Sequence, residues 1–553
     1  MRGRRIKLKK NKTGKLKVFA TLFTVLSAGM AVFVAFLMKL ILDCAMDKDL
    51  EALKRSIGIS VLYILAYFVI NYLKEVIVSK YIKDSMEKLR ADTYEAIVNK
   101  SYKNFFDKSN GEYISMLTND MTTLEENYFK SYFLIAQSVI TFVIAVISLF
   151  IISWQFSLGV IAISAVFLGI SSFTGIGLNN LQLNIQKDTA DFTSKTKDLI
   201  SGYEVIRSFN AQDKMKKEFD QHNEKLESMK LKFNIRRGIT TVVNENLVIL
   251  IVFSIMTLGS WFVIRGELVI GSLLAVIQLL NSVMNPINIL LAALNNYKST
   301  EGIRGQIDSL SSTAEVKDQT TKKDFQQTIK FQDVGFAYGD KENVVDDFCF
   351  SFEKGKKYAI TGKSGCGKST LLKLVQNYYG NYHGNIMIDG IDYQNIEGNS
   401  FFNLFSTTHQ NVFIFSGSIK DNITLYNDFD EQTIDWAIKK SGLQALIDSL
   451  PEGVETQIKE NGHSLSGGEK QRISIARALI RHAPILVLDE FTSALDKDTA
   501  ETIEREVLGF EEQTCIHVTH KLTEEAAKLY DSILVMNEGK LEKVVQSREW
   551  VIA

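Results

Sequence analysis

Gly362, Lys363, Ser364, Gly365, Cys366, Gly367, Lys368, Ser369 and Thr370 form an unbroken run directly after a short apolar stretch, Tyr358 to Thr361. Glycines at this spacing let successive backbone N–H groups turn inward around an anion, and a helix starting at Lys368 would add its positive dipole end. Lys368 is placed to neutralise β- and γ-phosphates, and the Ser369 hydroxyl is suited to Mg²⁺. A second chemical run lies well downstream, where Pro484-Ile-Leu-Val-Leu-Asp-Glu490 is apolar until it ends in two carboxylates. Such a run predicts a strand buried on both faces, its carboxyl end opening into a ligand crevice. There Asp489 would hold Mg²⁺, usually through water, and Glu490 would polarise the water that attacks a γ-phosphate. Both runs point to hydrolysis of a nucleoside triphosphate.

Between the two runs lies Leu465-Ser466-Gly467-Gly468-Glu469, followed by Lys-Gln-Arg472. This string resembles the signature of ATP-binding cassette proteins. The resemblance extends to Gln410 (the Q-loop glutamine), to Ser493, Ala494, Leu495 and Asp496 (the D-loop) and to His520 (the switch histidine). It implies catalytic roles for Glu490, His520 and Gln410, stacking of adenine on Tyr338, and Mg²⁺ held by Ser369, Gln410 and Asp489. Glu460-Asn-Gly462 resembles the loop that senses the membrane domain in exporters. Two residues depart from the usual pattern: Glu469 stands where Gln is commoner, and Asn461 where Arg is usual.

The elements that must position these residues follow from texture. From Ile329 short apolar strands alternate with helical segments, which predicts a parallel α/β sheet with covering helices over 329–553. Before about residue 300 the chain is unlike this. Six runs, Val18–Leu42, Ile57–Val78, Tyr132–Trp154, Phe156–Ile176, Leu247–Ile264 and Leu268–Leu294, are each near the ~20 apolar residues needed to cross a bilayer. Domains are therefore expected at 1–17 (a basic cytoplasmic end), 18–300 (a six-helix, all-α membrane domain), 301–328 (a linker) and 329–553 (the ATPase).

The connections 79–131 and 177–246 are long, while the others are short. Within them Ser79–Phe106 and Leu181–Phe233 are rich in helix formers and lack Pro, so they predict helices continuing about 40 Å below the membrane. Gly111 and Gly202 are expected to break them near a transverse helix. Phe105-Phe-Asp107 with Gly111 to Ser115, and Gly202 to Phe209, resemble the two cytoplasmic coupling regions of bacterial half-size exporters. The sixth run is the most polar, with Gln278, Asn281, Asn285, Asn288 and Pro286, a mark of either a cavity lining or helix-to-helix bonding. Lys39, near the outer end of the first run, is expected to snorkel.

Met1 to Lys17 carries nine Arg or Lys and no acid, which holds that end in the cytoplasm beside the first span. The run that follows is too long for a cleaved signal. Net charge of −1 over 553 residues argues against a nucleic-acid partner. Cys44, Cys349, Cys366 and Cys515 show no metal-ligand spacing, and three lie in the soluble half, as suits a reducing cytosol. Cys366, within the phosphate loop, is expected to react with maleimide unless nucleotide shields it.

As a whole the chain resembles a bacterial half-size exporter of the multidrug and peptide type. The resemblance implies a cell-membrane ATPase that works as a dimer, each ATP sandwiched between Lys368 of one chain and Ser466, Gly467 and Gly468 of the other. A homodimer is expected because the site residues are all intact, although a heterodimer with a damaged second subunit stays open. So do an importer built on the same fold and an ATP-gated channel or sensor. The transported substrate, whether small molecule, lipid or peptide, is not legible.

Overall fold

The computed structural model describes residues 13–550 except 101, 107, 175–176, 313–319, 340–341, 460–461, 463 and 521. Most of the basic end, together with Asp107, Glu460 and Asn461, lies outside the described residues. The chain divides into two units, one of residues 1–96 with 111–311, the other of residues 97–110 with 312–553.

The first unit is all helix. Its elements are α1 (Thr13–Met46), α2 (Leu50–Val98), a run made of α4 (Asn110–Ser115), α5 (Met121–Leu124) and α6 (Ser131–Ile152), then α7 (Trp154–Thr174), α8 (Leu178–Ser201), α9 (Tyr203–Ser208), α10 (Gln212–Ile264), α11 (Ile270–Ser299) and α12 (Glu301–Ser312). The short helix α3 (Tyr102–Phe106) belongs to the second unit. Two π turns, Met116–Asp120 and Glu125–Lys130, join α4, α5 and α6 into one 43-residue helix. Five helices are long and apolar enough to span a membrane, and α7 contributes a shorter apolar stretch, Trp154–Phe167. Among the described residues these match five of the six expected spans, and the shorter stretch in α7 stands where the fourth, Phe156–Ile176, was expected.

Side chains from α1, α6, α7, α10 and α11 make one core, including Val32, Ala145, Leu149, Phe156, Ile255 and Leu279. Lipid offers no hydrophobic drive for this packing, so close approach must supply it. Two glycines make that approach possible. A Cβ on Gly259 would lie 2.2 Å from a Leu273 methyl, and one on Gly271 would lie 2.0 Å from the Asp43 carboxylate. Asp43 also takes Lys39 at 3.1 Å, so the lysine pairs one turn along its own helix. α11 runs through Pro286 as a single element, with Leu279, Leu280, Val283 and Pro286 buried and Asn281, Asn285 and Asn288 exposed on the other side.

Below the spans, α8 and α10 zip together through Lys225–Asp188 at 2.7 Å and the Phe192–Phe219 ring pair at 5.4 Å. The tip of this hairpin leaves Tyr203, Val205 and Phe209 exposed. Gly202 ends α8, as expected. Gly111 is the second residue of α4, so the break lies just before it, at Lys108 and Ser109 between α3 and α4. α2 meets α1 through the Ser27 hydroxyl, donating to Asn71 Oδ1 at 2.6 Å, and the Tyr63 hydroxyl, donating to the Met30 carbonyl at 2.7 Å. Leu62, Leu65, Phe68 and Tyr72 remain exposed along it.

The second unit carries two main sheets. A four-stranded antiparallel sheet has the order β2 (Val345–Glu353), β1 (Thr328–Phe336), β4 (His383–Ile388), β5 (Ile391–Asp392). A six-stranded sheet has the order β12 (Lys540–Gln546), β11 (Ser532–Asn537), β3 (Lys357–Gly362), β10 (Thr514–Val518), β9 (Ile485–Asp489), β6 (Phe405–Thr408). All its pairs are parallel except β11–β12. Between the sheets pack Phe331, Phe348, Ile360, Leu371, Val487 and Ile516, all buried. The alternation of strand and helix predicted the parallel sheet; the antiparallel one follows from hairpin pairing of β1 with β2.

Helices α13 (Lys368–Val375) and α14 (Gly398–Asn403) flank the sheets. A small strand pair, β7 (Gly417–Ser418) with β8 (Gln457–Ile458), joins α15 (Ile419–Thr424), α16 (Glu431–Lys440), α17 (Gln444–Ser449) and α18 (Gly467–Leu479) in a separate helical lobe. Its core is Ile419, Ile423, Ile434, Ile438, Ile473 and Ala476. α19 (Lys497–Leu508) follows β9. The stretch expected as a linker begins with α12 and ends in a segment packed on the first sheet. There Phe325 is buried and the Lys322 ammonium meets the Asp389 carboxylate at 2.8 Å with both side chains buried.

Candidate active site

β3, β10, β9 and β6 run parallel as neighbours, so whatever follows their carboxyl ends gathers along one edge. Those followers are the loop 363–367, Thr519 with His520, Asp489 with Glu490, and His409 with Gln410. The register sets Val518 opposite both Ile360 and Asp489.

The loop after β3 needs its glycines. Gly362, Gly365 and Gly367 have φ of 148°, 83° and 101°, a region that side chains rarely enter. A Cβ on Gly362 would come within 2.2 Å of the Met536 carbonyl, and one on Gly367 within 2.5 Å of the Val344 carbonyl. Gly367 is the N-cap of α13, so the loop delivers its N–H groups to a helix start. The buried Lys368 ammonium turns onto the loop itself, donating to the Gly362 and Lys363 carbonyls at 2.8 Å each. Lys363, Ser364 and Ser369 are exposed, whereas Cys366 is buried with its sulfur 3.8 Å from the Lys368 nitrogen. The thiol is therefore shielded even without nucleotide, contrary to the expected maleimide reactivity. Thr370 bonds the Tyr338 hydroxyl at 3.1 Å, tying the expected adenine platform to the phosphate loop.

Glu490 occupies the end of β9 in a left-handed conformation, φ 49°, unusual for a residue with a Cβ. Its N–H donates to the Val518 carbonyl at 3.0 Å. One carboxylate oxygen lies 3.0 Å from His520 Nε2 and the other accepts from Gln410 Nε2 at 3.0 Å. All three residues assigned catalytic roles thus converge on one carboxylate. Beside it, burial, together with the Glu490 charge, pushes the Asp489 carboxyl above the usual carboxylate range, against Lys373, His520 and Lys368. Two adjacent acids, one reluctant to ionise, match a place where a divalent cation would restore the charge. Ser369, Gln410 and Asp489 are the residues that would hold it. Just before Gln410, burial lowers the His409 imidazole pKa, with Arg477 and Lys373 adding to the effect.

Ser466 sits apart from these groups, as N-cap of α18. Its hydroxyl accepts from the Glu469 N–H at 3.3 Å, and the Glu469 carboxylate accepts from the Ser466 N–H at 2.7 Å. Glu469 is therefore half of a capping box, a position where Glu and Gln both serve. Leu465 packs against the helical lobe. Among the described residues no hydrogen bond joins Ser466, Gly467 or Gly468 to the phosphate loop.

α18 connects the motifs through residues that spacing did not single out. Gln471, buried, donates to the Glu490 carbonyl at 2.9 Å and accepts from the Ala494 N–H at 2.8 Å. Ser493 N–H donates to the Glu490 carbonyl at 3.0 Å, and Leu495 N–H to the Thr492 carbonyl at 3.1 Å. Asp496 caps α19 by accepting from the Thr499 N–H. Arg477 donates to the Asn422 carbonyl at 2.8 Å and the Phe413 carbonyl at 3.1 Å, fixing the loop after Gln410. The only sequence signal for Gln471 was its place four residues after Gly467, on the inner side of the helix.

Residues 17–287 match the family described as ABC transporter transmembrane region, and residues 345–493 match the family described as ABC transporter. The chain is 29% identical over 464 residues to the ABC transporter ATP-binding protein YwjA of Bacillus subtilis, covering 82% of this chain and 80% of that one. It is 30% identical to ATP-dependent lipid A-core flippases of Vibrio cholerae (70% and 68% covered) and Francisella novicida (82% and 78%). Among solved structures, a bacterial Atm1-family ABC exporter with ATP bound superposes with a TM-score of 0.82 at 22% identity, over 97% of this chain and 96% of that one.

Proposed function

The chain belongs to the ABC transporter family, as a membrane-embedded ATPase, and from that premise we propose that it exports an amphiphilic molecule as a homodimer that closes on two ATP molecules. The observation that carries this reading is the Glu490 carboxylate held between His520 and Gln410 at the mouth of the phosphate loop.

In this reading the Lys368 ammonium leaves the loop carbonyls for the β- and γ-phosphates, and adenine stacks on Tyr338. Bound Mg²⁺ supplies charge neutralisation at the phosphates, with Ser369, Gln410 and Asp489 as its protein partners. Glu490 orients the attacking water and takes up its proton, while His520 and Gln410 keep the carboxylate aimed. The Ser466 hydroxyl and the N–H groups that open α18 meet no phosphate within one chain. A second copy would present them to the γ-phosphate, so nucleotide favours the closed pair by binding it better than the open one.

Assembly with a second chain is further supported by apolar surface outside the spans that one chain leaves bare, Tyr203, Val205 and Phe209 at the hairpin tip. Asn281, Asn285 and Asn288 form an uncharged polar stripe on α11 at membrane depth, suited to a cargo with neutral polar groups beside apolar ones. Relatives that carry the name lipid A-core flippase favour a lipid-like cargo.

The test is Mg²⁺-dependent ATPase activity of the purified protein in lipid vesicles, screened with lipids, drugs and peptides for stimulation. Lys368→Ala should abolish ATP binding. Glu490→Gln should lower turnover by about 10²- to 10⁴-fold while retaining ATP in a dimer. Wild-type turnover by Glu490→Gln, or full hydrolysis by a stable monomer, would overturn the reading.

A further inference from the structure

The end of α13 ties the nucleotide-binding residues to α3, a segment embedded in the sequence of the membrane half. α13 starts at Lys368 in the phosphate loop and is only eight residues long. It stops at Asn377, whose φ of 54° turns the chain left-handed, with Asn377 N–H donating to Leu374 and Tyr378 N–H to Lys373. That turn sends the next two tyrosines to different partners. Tyr378 stacks flat on Tyr102 of α3, ring centroids 3.9 Å apart and planes within 8°. Tyr379 lies on Phe336 at 4.7 Å and presents an edge-to-face contact to Tyr338 at 5.6 Å and 90°. Tyr102 also touches Tyr379 directly, at 6.0 Å and 87°. Tyr338 is thereby fixed by Phe336, Tyr379 and Thr370, leaving 39% of it exposed.

We propose that Tyr102 is a positioning residue for the nucleobase: through Tyr379 it sets the ring of Tyr338, so that α3 and the adenine pocket sense one another without passing through the γ-phosphate. This rests on Tyr338 being the adenine platform. The physical case is that aromatic pairs have preferred geometries and resist reorientation. A rigid five-ring cluster transmits a shift of α3 to the base-stacking ring more faithfully than a loop would. Conversely, a base stacked on Tyr338 adds a ring to the cluster and holds α3 against the end of α13.

The experiment uses the full chain in lipid nanodiscs, carrying Glu490→Gln so that binding is read without turnover. Equilibrium binding is measured for ATP and for inorganic tripolyphosphate, which has the phosphates but no base. Adding Tyr102→Ala should weaken ATP binding by about 3- to 10-fold, the worth of one aromatic pair, and leave tripolyphosphate binding within twofold. Tyr102→Phe, which keeps the ring, should restore ATP binding. In a Tyr379→Leu background the Tyr102→Ala effect should shrink to less than twofold.

Unchanged ATP binding by Tyr102→Ala would overturn the proposal, as would equal weakening of ATP and tripolyphosphate, which marks general damage to the phosphate loop. Lys368→Ala is the separate check on the site itself. If it leaves both ligands bound, the nucleotide-site reading fails, whatever Tyr102 does.

Discussion

Replacing Gln471 with Leu tests whether α18 holds Glu490 in its strained conformation. The side chain is buried and makes two short hydrogen bonds, to the Glu490 carbonyl at 2.9 Å and from the Ala494 N–H at 2.8 Å, and a long one to the Ser493 hydroxyl at 3.4 Å. Leucine keeps the bulk and removes all three, of which the two short ones carry the strength. Each short bond contributes about 1 kcal/mol net, so the tether supplies about 2 kcal/mol. Against it stands the left-handed backbone of Glu490, a conformation costing about 1–3 kcal/mol for a residue with a Cβ. The two terms nearly cancel, so losing the tether lets the turn relax and the carboxylate swing from His520 and Gln410. A loss of about 2 kcal/mol in correctly placed carboxylate is about 30-fold in turnover. The phosphate loop and Tyr338 make no bond to Gln471, so KM for ATP should stay within about twofold. Steady-state ATPase kinetics in lipid vesicles read both numbers. Turnover preserved within twofold, or a loss carried by KM instead, would refute the reasoning.

Asp489→Asn should raise the melting temperature of the nucleotide-free protein at neutral pH. The Asp489 pKa is raised in the fold by burial and by Glu490, so its charge destabilises the folded state above the folded pKa. That penalty is relieved as pH falls through the raised value, so the gain from Asn should shrink on acidification; a gain independent of pH would contradict the assignment. Maleimide labelling mapped by mass spectrometry should find Cys349, which is exposed, and leave Cys366 and Cys515 unmodified with or without Mg-ATP. Stoichiometric labelling of Cys366 would contradict its burial. Lys322→Met should destabilise the ATPase unit by about 3–5 kcal/mol by leaving Asp389 charged and buried, seen as a lower chemical-denaturation midpoint. Asp389 lies below the usual carboxylate range although burial opposes this, because Lys322 and the N–H groups of Gln326, Gln327 and Thr328 all donate to it.

The phosphate loop, the Asp489–Glu490 pair and the five long spans were legible because each is a local pattern: glycines at fixed intervals, an apolar strand ending in acids, or about 20 apolar residues in a row. Parallel neighbours of one sheet then gather Gln410, Glu490 and His520 without further information. What could not be read was tertiary. Gln471 and Arg477 act across the fold, and nothing in their local spacing says which loop each reaches. Cys366 was misjudged because loop membership says nothing of direction, and the turn at Gly365 points the thiol inward. The break expected at Gly111 falls two residues earlier, because the first turn of a helix tolerates glycine and α4 starts at Asn110. Glu469, odd as a motif letter, is ordinary as a helix cap.

The 53 residues of α10 form one uninterrupted rod about 80 Å long. A rod without a joint cannot absorb a push at one end, and it must carry the displacement to the other. Pivoting by 5° about one end would swing the far end by about 7 Å, more than the rise of one helix turn. Leverage of that kind asks very little travel of the cytoplasmic tip to part helices at the opposite face of the bilayer.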